Sequence, residues 1–108
     1  MDMLELKKND TYILGLKGKL DAVTSPGVRT RLLELVQKGE RRILLDCANL
    51  DYVSSAGLRV MFEIAAQLQA LSGRLACCSV NSNVRKVFDL VELPADIPIF
   101  ANEEEALK

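Results

Sequence analysis

The run Arg42-Ile43-Leu44-Leu45-Asp46-Cys47 constrains the fold most, because it is apolar at consecutive positions and closed at both ends by polar residues. A strand alternates its side chains between two faces, so adjacent apolar residues require both faces to be covered. That places the run in the middle of a sheet with other layers around it. The residues on either side supply those layers. Val28, Leu32, Leu35 and Val36 follow helical spacing after Thr24-Ser25-Pro26, with Pro26 suited to the first turn, Thr24 or Ser25 as cap and Gly39 as stop. Leu58, Met61, Phe62, Ala65, Leu68 and Leu71 do the same over Gly57–Leu71, which ends at Ser72-Gly73.

Ahead of this core, Met3–Lys8 and Thr11–Lys17 flank Asn9-Asp10, a dipeptide that favours a tight hairpin turn. Beyond it, Leu75–Val80 reads as a strand, and Val84, Val87, Phe88 and Val91 as a third amphipathic helix. A short strand over Ile97–Phe100 follows Pro94, and Asn102 with Glu103, Glu104 and Glu105 marks a short capped terminal helix. The order predicts an α/β fold with a mixed sheet of about five strands, an antiparallel hairpin followed by parallel strands with crossover helices. At 108 residues the chain has the length of one domain, residues 1–108.

Composition narrows the chemistry. The chain has no His, which removes the Ser-His-Asp triad, the Cys-His pair and His-based zinc sites. Cys47, Cys77 and Cys78 form neither a CxxC pair nor a zinc cage and are expected to be core residues. Without a phosphate-binding Gly-rich loop, a catalytic base or a ligand cluster, no enzyme activity, metal or cofactor is expected. With 14 Lys and Arg against 15 Asp and Glu there is no basic excess for nucleic acid, and the composition suits a soluble globular chain. No apolar run is long enough for a membrane, and the charged opening MDMLELKKND is unlike a signal peptide, so the expected location is cytoplasmic.

The segment Asp46–Arg59, DCANLDYVSSAGLR, leaves the central strand and enters the longest helix through two serines and a glycine. Loops beyond the carboxyl ends of parallel strands are where sites collect in such sheets, and a helix start there favours an anion. On residues alone, one serine serves as N-cap and Gly57 as a turn or close-packing residue. Asp46, Asn49 and Asp51 could hydrogen-bond the approach to the helix, a structural role. Arg59 could face an anion in the loop or a partner carboxylate, or simply stand in solvent.

The stretch Leu50-Asp51-Tyr52-Val53-Ser54-Ser55-Ala56-Gly57-Leu58-Arg59-Val60 resembles the phosphorylation loop of the bacterial anti-sigma factor antagonists, which define the STAS domain. Gly18-Lys19-Leu20-Asp21 resembles the family's Gly-x-Leu-Asp turn, and Val84-Arg85-Lys86-Val87-Phe88 its third helix, so the similarity spans nearly the whole chain. The resemblance implies a phosphoacceptor at Ser55, two residues before Gly57. Many members carry Asp before that serine; here Ser54 stands in its place and is an alternate acceptor. It further implies a partner-facing loop of Asp21, Ser54, Ala56, Gly57, Leu58 and Arg59. Asp21 reads equally well as a carboxylate bonded to its own turn.

The partners the resemblance implies are an anti-sigma factor that is also a serine kinase, and a metal-dependent serine phosphatase. The unmodified chain, a monomer when alone, would bind the anti-sigma factor and free a sigma factor, and phosphorylation would block that binding. The alternative is a STAS scaffold or small-ligand module that no kinase modifies.

Overall fold

The computed structural model describes residues 1–93 and 96–108. Pro94, expected to bound the last strand, lies outside the described residues. Strands β1 (Asp2–Lys8) and β2 (Thr11–Leu20) form the opening hairpin, followed by α1 (Ser25–Gln37) and β3 (Arg42–Val53). The chain continues through α2 (Ser55–Ala70), β4 (Arg74–Cys78), α3 (Ser82–Leu90), β5 (Ile99–Phe100) and α4 (Glu103–Ala106). The strands lie in the order β1-β2-β3-β4-β5, antiparallel at the first pair and parallel at the other three. This is the expected mixed α/β fold with an antiparallel opening. Asn9 and Asp10 both take positive φ, 52° and 66°, which is the backbone of a mirror-image two-residue turn.

Because each parallel step moves one strand further in the same direction, right-handed crossovers put α1, α2 and α3 on one face. The larger apolar cluster lies there, with Leu14, Leu45, Leu50, Leu32, Ile64 and Phe88 among its members. The opposite face holds a smaller cluster, Ile13, Leu44, Ala76 and Cys78, against Phe100, Ala106 and Leu107 at the α4 end of the chain. Leu44 and Leu45 therefore belong to different cores, which is why the central run is apolar without interruption. All three cysteines are buried and free, as expected of core thiols.

The boundaries correct several expectations. The central strand does not stop at Cys47 but runs to Val53, and β2 reaches Leu20. These extensions pair with one another through register shifts between Gly15 and Lys17 and between Gly18 and Lys19. Gly18, expected in a turn after the strand, instead takes φ 104° within it. The irregular pairing leaves Ala48, Asn49, Asp51 and Tyr52 exposed and Leu50 and Val53 buried, a period of three in place of the expected loop. β4 ends at Cys78, two residues early, because Ser79 turns to a left-handed φ of 60°. α2 starts at Ser55, two residues before Gly57, and α3 at Ser82, two before Val84; β5 keeps only Ile99 and Phe100.

Gly39 closes α1 as expected. At φ 102° its N–H reaches the Val36 carbonyl (3.1 Å) while Glu40 N–H reaches that of Leu35 (3.0 Å), the paired bonds of a Schellman cap.

Candidate functional site

The extended β2 and β3 end side by side, and Ser54 N–H donates to the Leu20 carbonyl (2.8 Å). The chain thus leaves the sheet pinned at Ser54, with β-region angles, and turns directly into α2. Ser54 is the N-cap: Gly57 N–H donates to its Oγ (3.4 Å), and its carbonyl accepts the helix's first bond, from Leu58 N–H (2.9 Å). Ser55 is the first helical residue and is exposed, while Ser54 is half-buried. The two serines are therefore unequal. One completes the helix; the other offers its hydroxyl to solvent at the positive end of the helix dipole.

Gly57 and Leu58 are buried, so of the expected loop residues these two shape the surface from beneath. A Cβ at Gly57 would stand 2.7 Å from Leu20 Cγ and 2.9 Å from Val53 Cγ2. Glycine is needed there for close approach: it lets α2 sit down on the ends of both strands, which fixes Ser55 at the rim. Ala56 is half-buried and Arg59 exposed. Arg59 lies one turn after Ser55 on the same side of the helix, and among the described residues it has no carboxylate partner. Ala56 and Arg59, together with Ser25, Pro26 and Val60, line a groove of about 340 Å³ between α1 and α2. The Arg29–Glu63 fork (2.8 and 2.7 Å) spans that groove, and the guanidinium holds the Glu63 carboxyl below its usual range.

Asp21 is engaged by its own turn. Its Oδ1 accepts from the N–H groups of Thr24 (3.1 Å) and Val23 (2.9 Å), which lower its pKa. Thr24 stands at the cap position of α1, but its hydroxyl turns back, donating to the Lys19 carbonyl (2.7 Å) and accepting from Asp21 N–H (2.9 Å). Ser25 is the first residue of α1 and is buried. Of the approach residues, Asp46 accepts from Ala48 N–H (3.1 Å), whereas Asn49 and Asp51 are exposed.

Two features of this end of the sheet escaped the sequence reading. Asn81 caps α3 by accepting from Val84 N–H (2.8 Å), and its amide also donates to the Leu50 carbonyl (2.9 Å), tying α3 to the irregular part of β3. Asn three residues before the first apolar position of a helix was the available signal. Val23 and Tyr52 present apolar surface to solvent, Val23 at 87% exposure, on the segments flanking Ser54. No hydrophobic period marks them, because each is apolar for no reason internal to the fold.

The sequence profile of the STAS domain matches residues 3–106. The chain belongs to the STAS domain family. It is 38% identical over 104 residues to a Bordetella bronchiseptica protein named as an anti-sigma factor antagonist, BtrV, covering 95% of this chain and 89% of that one. It is also 34% identical to the anti-sigma F factor antagonist of Paenibacillus polymyxa, covering 88% of this chain and 82% of the relative. Among solved structures, SpoIIAA in its unphosphorylated form superposes with a TM-score of 0.76 at 22% identity, covering 98% of this chain and 94% of SpoIIAA. SpoIIAA in its phosphorylated form gives the same TM-score at 23% identity, covering 98% and 96%. These STAS relatives are named for antagonism of a regulatory protein, a binding role and not a reaction. Among the described residues no acidic or thiol group gathers as a metal site, and no helix is long and apolar enough to cross a membrane.

Proposed function

We propose that this chain is an anti-sigma factor antagonist of a partner-switching system, toggled by phosphorylation of Ser55. Residues 1–108 act as one STAS domain in the cytoplasm. The unphosphorylated chain binds an anti-sigma factor that is also a serine kinase, which frees a sigma factor. The kinase spends its own ATP on Ser55, and a metal-dependent serine phosphatase reverses the modification. Each chain carries a whole site, so one chain is the binding unit.

The observation that carries this reading is the division of labour at the helix start: Ser54 is occupied as cap while Ser55 is exposed at the first helical position. A phosphate adds about −1.5 to −2 charges, and at a helix N-terminus the fold gains ~0.3–1 kcal/mol from such a charge. Pressed into a protein interface the same group costs several kcal/mol, near the ~5.5 kcal/mol that turns a population from almost all bound to almost all free. The modification is accommodated within the chain and rejected between chains. Arg59, one turn on, is placed to meet either the phosphate or a partner carboxylate. Asp21 supports the same surface by holding the turn that carries Val23.

Incubation with the cognate kinase and ATP, followed by intact-mass measurement, tests the assignment. Wild type and Ser54→Ala gain one phosphate and Ser55→Ala gains none, while Ser55→Ala still binds the partner and Ser55→Glu binds weakly. Equal phosphorylation of Ser55→Ala would move the acceptor elsewhere. An unmodified wild type that functions normally would favour a scaffold or ligand-binding module.

A further inference from the structure

The outer edge of β1 is unpaired among the described residues, and its side chains divide cleanly between the two faces. Met3 packs on the main core and Glu5 bonds Arg31 of α1, so these two point to the α1 face. Lys8 reaches Glu103 of α4 on the other side (3.5 Å), which puts Leu4 and Leu6 on that face as well. There the described residues leave them largely open: Leu4 is 78% exposed and Leu6 51%, beside Gly15, which offers no side chain opposite Leu4. An exposed apolar edge strand is a template for another strand.

The order of charges along β1 says which strand. Reading Asp2-Met3-Leu4-Glu5-Leu6-Lys7-Lys8 against itself in the opposite direction, centred on Glu5, sets Leu4 against Leu6 twice and Asp2 against Lys8 twice, all on the open face. We propose that a second copy of this chain pairs antiparallel along β1, about a two-fold axis at Glu5, to give one continuous sheet across two chains. The two-residue turn at Asn9-Asp10 closes on the Lys8–Thr11 pair, so Lys8, Leu6 and Leu4 spend their backbone bonds on β2. Met3, Glu5 and Lys7 then turn theirs outward, in the phase that a Glu5-centred pairing uses. The two Glu5 side chains meet at the axis, but each is already neutralised by the Arg31 fork of its own chain (2.9 and 2.6 Å). Such an interface is isologous and closes at two copies. β2 separates it from β3 and Ser55, so paired chains keep their partner surfaces free. At high concentration the chain would therefore depart from the lone monomer expected of it.

Sedimentation velocity on the full chain, from micromolar to near-millimolar, tests the pairing. The mean mass of wild type rises toward two chains. Leu4→Lys/Leu6→Lys, checked for folding by circular dichroism, weakens self-association at least tenfold. A wild type that stays monomeric throughout, or a double variant that dimerises equally well, overturns the proposal. Register is read by mild oxidation of a mixture of Leu4→Cys and Leu6→Cys chains, which does not depend on the lysine variant folding. Cross-links between Leu4→Cys and Leu6→Cys chains dominate in the proposed register. Dominant self-links of either variant, or none, overturn it.

Discussion

Ser54 and Ser55 carry the same hydroxyl, yet only one contributes to the fold. The Ser54 side chain accepts from Gly57 N–H, so Ser54→Ala removes a cap and costs about 1 kcal/mol in urea unfolding. Ser55→Ala removes an exposed hydroxyl and stays within about 0.5 kcal/mol of wild type. The reverse ranking would mean that Ser55 holds the helix start, and a phosphate there would then disturb folding. Gly57 makes the complementary case. Its helical backbone suits any residue, but an added Cβ meets Leu20 and Val53, both fully buried and unable to move aside freely. Gly57→Ala is accordingly expected to cost about 1–3 kcal/mol as an overpacked contact. It should also reduce the rate at which the kinase modifies Ser55, because α2 must lift from the strand ends. A variant that is destabilised but phosphorylated at the wild-type rate would show that the helix start does not depend on that seat.

Elements hold one another through a few polar staples, and the one joining β1 to α1 has a defined pH response. Arg31 forks onto Glu5, and Tyr12 hydroxyl donates to the same carboxylate. The guanidinium first, then the phenol, lowers the Glu5 pKa from 4.5, while the carboxylate raises that of Tyr12 above 10.0. For Glu5 the stabilisation is complete above the unfolded value and is lost as pH falls through the lower folded one. For Tyr12 it is complete below 10.0 and is lost as pH rises through the raised folded value. Arg31→Met should thus lower stability slightly near neutral pH, and the gap to wild type should close in acid once Glu5 is protonated. A gap that persists in acid would assign the loss to packing of the Arg31 stem.

The same scale shows what a sequence discloses. The three long helices were legible because burial on one face leaves a period, the central strand because burial on both faces leaves an unbroken apolar run, and the caps at Asn102 and Gly39 because few residues suit those positions. The six residues by which β3 exceeds its apolar run were not. Their pairing with β2 passes through two register shifts, which break the alternation that identifies a strand. Ser72 was half-legible: it, not Gly73, takes the left-handed φ of 63° that ends α2. Gly73 is glycine because a Cβ there would collide with the Arg41 carbonyl, a contact between segments far apart in sequence. At the site, the serines and Gly57 were visible through motif and cap preference, but which serine is the cap depends on where the strand ends.

Across the whole molecule, the proposed switch asks that a dianion at the rim leave the interior alone, and the three cysteines report on that interior. Cys47 and Cys77 lie in the main core and Cys78 in the smaller one, so together they sample both sides of the sheet. Cys47 is raised well above an ordinary thiol by the neighbouring Cys77 thiol and by burial, and burial pushes Cys78 up to about 11. Neither the protonation state nor the accessibility suits reaction with a thiol reagent at neutral pH. In the native protein all three should label slowly, at a rate set by opening of the fold, and all three should label at once in denaturant. If a phosphate on Ser55 is met only by the helix start and solvent, the phosphorylated protein should label no faster than the unmodified one. Faster labelling of Cys47 and Cys77 in the phosphorylated form would mean that the charge loosens α2 over the main core. The switch would then act by changing the shape of the antagonist, and repulsion at the partner surface would no longer be its basis.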